Sequence, residues 1–200
     1  MVSPSIATTR SNSIVKSASS LRAFLKQRFR WTFGTLQVAY KHSTTFRTGS
    51  AITHFNSPLY SWSADPTPAL NVHATIKAYL SLGVPREKLV LGVPFFGYKY
   101  IGVVADHDGL FQHSGGHEYF SLRDLSMQVE GEYRRFWQSD AQVPWIYSRA
   151  SRTWLTYDDE ESILAKVQYV RRNALGGIMI WEISGDDGTL LRTIDSSLKK

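Results

Sequence analysis

The chain has 200 residues, 42% hydrophobic and 20% charged, with a net charge of +6 and no cysteine. Without cysteine there are no disulfides, no thiolate metal sites and no thiol nucleophile. Its six histidines (His42, His54, His73, His107, His113, His117) lack H-E-x-x-H spacing, and the sequence has no glycine-rich phosphate loop, no repeat and no apolar run long enough for a membrane span.

The charge is unevenly placed. All seventeen acids lie from Asp65 onward, while eight basic residues (Arg10, Lys16, Arg22, Lys26, Arg28, Arg30, Lys41, Arg47) precede it. Fifteen basic residues against seventeen acids leave the remainder at −2. The basic, Ser/Thr-rich start allows three readings: an organelle transit peptide, an arm for nucleic acid or membrane, or a stretch that is no evolved domain segment, such as a shifted reading frame. The third is our expectation for residues 1–51. No run of about 7–15 apolar residues follows the early charges, so no secretory signal is expected.

The spacing predicts a helix over Ala74 to Leu82, stopped by Gly83 with Pro85 beyond. Leu89 to Phe95 is a continuous apolar run that opens onto Phe96, Tyr98 and Tyr100. From Tyr157 the pattern repeats. Asp158 can cap a helix with Glu161 closing a capping box, and Ile163, Val167 and Val170 give it an apolar face. Arg171 and Arg172 suit its last turn, and Gly176 its stop. Ile178 to Trp181 then reads as a parallel strand buried on both faces. A last helix is expected over Gly188 to Lys199, with Leu190, Leu191, Ile194 and Leu198 on one face. Helix, short loop, buried strand, twice over, indicates a parallel α/β fold, whose sites lie at the carboxyl ends of its strands.

Residues 99–156 separate the two units. They are rich in Gly, His and aromatics, with alternating segments such as PWIYSR and TWLTY. A structureless loop of this length is uncommon in a compact domain. We expect a small α+β subdomain of short antiparallel strands, with one helix near Ser121 to Gln128.

LVLGVPFFGY, then an insertion closing on VPWIYSRASRTWLTYDDEESI, then LGGIMIWEISGDD, resembles glycoside hydrolase family 18. It is most similar to the bacterial chitinases that carry an α+β insertion between the last two barrel strands. Asn56-Ser57-Pro58-Leu59-Tyr60 resembles the loop after the sixth strand. The resemblance runs from about Ile52 to the C-terminus. It implies an incomplete (β/α)8 TIM barrel, of about strands six to eight, formed by 52–98 and 157–200, with 99–156 as the insertion. It further implies a glycosidase acting on chitin, with chitin or N-acetylglucosamine oligosaccharides as partners. No cofactor, metal, nucleic acid, membrane or specific protein partner is implied.

By the same resemblance, the sugar-binding candidates are Trp181, Glu182, Phe96, Tyr98, Tyr40 and Asn56. Trp181 would be the stacking floor for a pyranose ring, since a flat indole suits its apolar face. It could equally be core at a strand end. Where the family usually has F-Y-G-R, this chain has Phe95-Phe96-Gly97-Tyr98, one hydroxyl and one guanidinium fewer. Tyr40 stands where the sixth strand carries the tyrosine of M-x-Y-D, but Lys41 replaces the aspartate. Trp137 and Trp145 either line the cleft or fill the insertion, and core is the expectation. The three histidines of the insertion are expected on loops and surface.

Members of the family hydrolyse by substrate assistance, as an exception to the two-carboxylate scheme. Their acid sits in a D-x-x-D-x-D-x-E motif on the fourth strand. That string does not occur in these 200 residues. The nearest, Asp106-His107-Asp108-Gly109-Leu110, has leucine where the acid would stand. A whole barrel takes about 250 residues. We therefore expect an inactive chitinase-like fragment, a non-catalytic chitin binder, or a non-functional remnant, and no catalytic residue is assigned.

Overall fold

The computed structural model describes residues 36–39, 51–128 and 131–198. Three strands, β1 (Leu36–Ala39), β3 (Leu89–Pro94) and β10 (Gly177–Trp181), form a parallel sheet in the order β1-β3-β10. Leu36 pairs with Leu89, and Trp181 with Pro94. This is the neighbour order expected of barrel strands six, seven and eight. Tyr40, one residue past β1, lies outside the described residues.

Helices α1 (Val72–Ser81), α3 (Glu160–Arg172) and α4 (Thr189–Leu198) flank the sheet. Alternate residues of a strand point to opposite faces. Leu89, Leu91 and Val93 accordingly face Ile76, Ile163, Val167, Leu190 and Ile194 in one buried core. The sequence reading placed α1 two residues late. Asn71 is its cap, accepting from the Ala74 N–H at 2.8 Å, and Gly83, at φ +84°, takes the left-handed position just past its end.

Three expectations for the second unit are corrected. Asp159 caps α3, not Asp158: its carboxylate accepts from Ser162 N, and its own N–H donates to the Ser162 hydroxyl, both at 3.0 Å. Asp158 is fully buried, 2.6 Å from the Lys166 ammonium. The helix stops at Arg172, and Ala174, at φ +49°, takes the left-handed turn. Gly176 instead allows a close crossing, since a Cβ there would sit 2.4 Å from the Glu87 carbonyl. Finally, β10 is not buried on both faces: Gly177 to Ile180 are half-buried and Trp181 is exposed. Ile178 and Ile180 pack on the helices. Met179 and Trp181 face the other way, and among the described residues β10 has a partner on one side only.

The insertion is a five-stranded antiparallel sheet, β6-β4-β9-β8-β7. Its strands are β4 (Phe96–Ile101), β6 (Gly116–Ser121), β7 (Arg134–Gln138), β8 (Val143–Ser148) and β9 (Thr153–Thr156). Two-residue strands β2 (Ala51–Ile52) and β5 (His113–Ser114) pair beside it, and the short helix α2 (Leu125–Gln128) follows β6. One face packs Tyr100, Trp145, Tyr147 and Trp154 with Phe55; the other packs Phe120, Ile146, Leu155 and Tyr157. Trp145 is core, stacked on Phe136 at 5.0 Å. Trp137 is half-buried, with the Arg135 guanidinium over its ring. No helix among the described residues is long and apolar enough to cross a membrane.

An apolar strand with a free edge is a template for pairing with another chain. The 200-residue chain is expected to elute larger than a monomer at micromolar concentration. A cooperative, high-temperature melt of a strictly monomeric species would refute this.

Candidate functional site

The carboxyl ends of β3 and β10 meet closely. The Phe95 N–H donates to the Trp181 carbonyl at 2.7 Å, and the Phe95 carbonyl accepts from Leu122 N at 3.1 Å. The turn after β10 then crosses over this junction at Gly185, where a Cβ would lie 2.3 Å from the Phe95 oxygen. Trp181 is thus carried at the strand end on the face free of helices, with 62% of its surface exposed. Its peptide bond to Glu182 is cis. Glu182 is exposed beside it, and its carbonyl accepts from Gly185 N at 2.9 Å.

Phe96 and Tyr98 begin the insertion's strand β4, separated from the end of β3 by one residue. Antiparallel pairing sets Tyr119 of β6 directly opposite Tyr98. The rings of Phe96 and Tyr119 lie 5.3 Å apart, and those of Tyr98 and Tyr119 6.4 Å. Phe96 and Tyr98 are half-buried, whereas Tyr119 is 52% exposed. His117 continues the row, 5.8 Å from Tyr98 and stacked on the buried Tyr100. Burial and the neighbouring Tyr119 raise the Tyr98 hydroxyl above its usual range, which keeps it a neutral donor. Tyr119 was not among the sequence candidates. Its signal was the alternation His117, Tyr119, Ser121, which shares a face with Phe96, Tyr98 and Tyr100 only once the β4–β6 register is known.

Asn56 does not join this exposed row. It is buried: its amide donates to the Phe96 carbonyl at 3.1 Å, and its backbone N–H to the Thr156 hydroxyl at 2.7 Å. Asp186 and Asp187 cap α4, accepting from Leu190, Leu191 and Thr189 backbone N–H groups. Hydrogen bonds from the Thr189 side chain and then its backbone hold the Asp187 carboxyl below its usual range. His107 lies in a turn at φ +49°, while His113 and His117 lie on strands. Among the described residues no three His, Cys, Asp or Glu side chains are grouped as a metal ion needs.

Trp181 and Glu182 are thus exposed at the end of β10, and Phe96, Tyr98 and Tyr119 form an aromatic row where β4 and β6 pair. The sequence profile of glycosyl hydrolases family 18 matches residues 37–186, which takes in the sheet, the insertion and the turn after β10. The chain belongs to this family. It is 34% identical over 140 residues to chitinase A1 of Niallia circulans, covering 64% of this chain and 20% of that protein. Among solved structures, chitinase ChiA74 from Bacillus thuringiensis superposes with a TM-score of 0.68 at 28% identity, over 74% of this chain and 29% of that one. YKL-39, solved in the presence of chitooligosaccharides, gives 0.66 at 26% identity, over 74% and 46%. The chain therefore spans less than half of each of these relatives. Its fold is an incomplete TIM barrel with an inserted α+β sheet.

Gly185→Ala would force the turn after β10 off the Phe95 carbonyl. It is expected to destabilise the chain by about 1–3 kcal/mol, the range for overpacking, read from the urea midpoint.

Proposed function

We propose that this chain holds N-acetylglucosamine units of chitin or its oligosaccharides. Trp181 is the stacking floor, Glu182 and Tyr98 supply polar contacts, and Phe96 and Tyr119 form the wall. The observation that carries this reading is Trp181, which is presented to solvent where a core residue would be covered. Aromatic rings match the apolar face of a pyranose, and phenols and carboxylates match its hydroxyls. The relatives support the ligand class: they are chitinases, and YKL-39 was solved with chitooligosaccharides.

The reaction we assign to the complete domain is hydrolysis of β-1,4 bonds between N-acetylglucosamine units with the substrate's acetamido group as nucleophile. These 200 residues supply the binding floor and wall and no acid for that reaction. Glu182 sits beside the floor, but the family's acid belongs to a motif this sequence lacks. We therefore propose that the chain by itself binds without cutting.

Two measurements test this. The chain is expected to be retained on chitin beads, and Trp181→Ala to remove retention; a variant retained like the parent would sink the stacking role. Incubated with a fluorogenic chitobioside, the chain is expected to give no turnover above blank. Turnover that a single substitution in this chain abolishes would overturn the claim of inactivity.

A further inference from the structure

The start of helix α3 holds a charge pair that the binding reading does not use. Asp158 and Lys166 are both fully buried. The Lys166 ammonium donates to both Asp158 oxygens, at 2.5 and 2.6 Å, and to the Ser57 hydroxyl at 2.9 Å. Asp158 also accepts from the Ser162 hydroxyl at 2.6 Å. Ser57 follows Asn56, and Asp158 lies two residues past Thr156. Lys166 therefore ties together two chain segments a hundred residues apart, and these are the segments that hold strand β4. Asn56 carries the Phe96 carbonyl, and Thr156 pairs with Tyr98. At Gly97, between the two rings, a Cβ would lie 2.4 Å from the Thr156 carbonyl, so the strand rests directly on that support.

We propose that Asp158 and Lys166 are positioning residues for the aromatic wall, fixing Phe96 and Tyr98 through Ser57, Asn56 and Thr156. This rests on the sugar-binding reading. Stability alone gives no reason for ions here, because well-packed apolar residues commonly replace a buried ion pair at no loss. An apolar pair would fill the volume but could not hold Ser57, whereas an ammonium has three donors and uses them on both sides of the junction. Burial drives the Asp158 carboxyl upward and the Lys166 amine downward, and the attraction between them opposes both.

The test compares the parent chain with the double variant Asp158→Leu/Lys166→Met, with Ser57→Ala and with Ser57→Thr. Two quantities are read: retention on chitin beads, and hydrogen exchange of peptides covering residues 53–60 and 94–98. Expected is an unfolding midpoint for the double variant close to the parent's, with retention weakened about tenfold, the size of one lost charge-assisted hydrogen bond. Exchange at Asn56 should rise. Should the double variant fail to fold, Ser57→Ala makes the same cut at the serine alone, and Ser57→Thr, which keeps the hydroxyl, should restore both readouts. Parent-like retention and exchange in a folded double variant or in Ser57→Ala would overturn the proposal. If the parent itself is not retained, the binding reading fails. Exchange at Asn56 then decides alone: unchanged exchange overturns the positioning role, and raised exchange sustains it.

Discussion

The contact between Lys166, Asp158 and Ser57 joins residues 53–60, the exit of the inserted sheet and helix α3 at one buried point. Removing two charges from water costs several kcal/mol for each ion, and only close, fully hydrogen-bonded geometry offsets it. That geometry exists here because α3 begins at the point where β9 returns from the insertion. Asp158 stands at the exit of the inserted sheet and Lys166 two turns along the barrel helix. Loop 53–60 supplies the third partner, Ser57. Nearer the surface, Arg135 of β7 donates to Asp159 and Glu161 at 2.6 to 2.9 Å and makes a second seam between the same two parts. Being half-exposed, it contributes less.

The site follows from how strand ends are built. A parallel sheet covered by helices on one face leaves alternate side chains on the other face without helical cover. On β10 those are Met179 and Trp181. The pleat alone therefore puts the indole on the face away from the helices, at the carboxyl end of β10. The insertion then supplies a wall by a second, independent rule: antiparallel register stacks Tyr119 across from Tyr98. Neither rule refers to sugar, and the proposed binding of a sugar chain draws on both.

Local structure was legible in the sequence, and long-range pairing was not. The runs 89–95 and 178–181 and the helices around them carry their own periodicity, and the structure places all of them within a residue or two. The order β6-β4-β9-β8-β7 depends on contacts between residues tens of positions apart, which no local pattern records. For that reason no local pattern shows Tyr119 opposite Tyr98, or the Asn56 amide on the Phe96 carbonyl. The exchange of Asp158 for Asp159 at the cap has a different cause. Two adjacent aspartates satisfy the same local rule, and what separates them is a lysine inside the helix's apolar stripe, between Ile163 and Val167. A lysine at such a position is a signal for a buried partner.

Phe95 is the single residue between β3 and β4. It is buried, and both its N–H and its carbonyl are engaged. A hinge needs a few residues free to change φ and ψ, and this junction has none. The inserted sheet is consequently a fixed flank of the barrel end and not a flap that swings over it. A sugar chain bound as proposed would meet an aromatic row whose place is set at folding, so fit to that row, in place of any closing motion, would decide which chains are held.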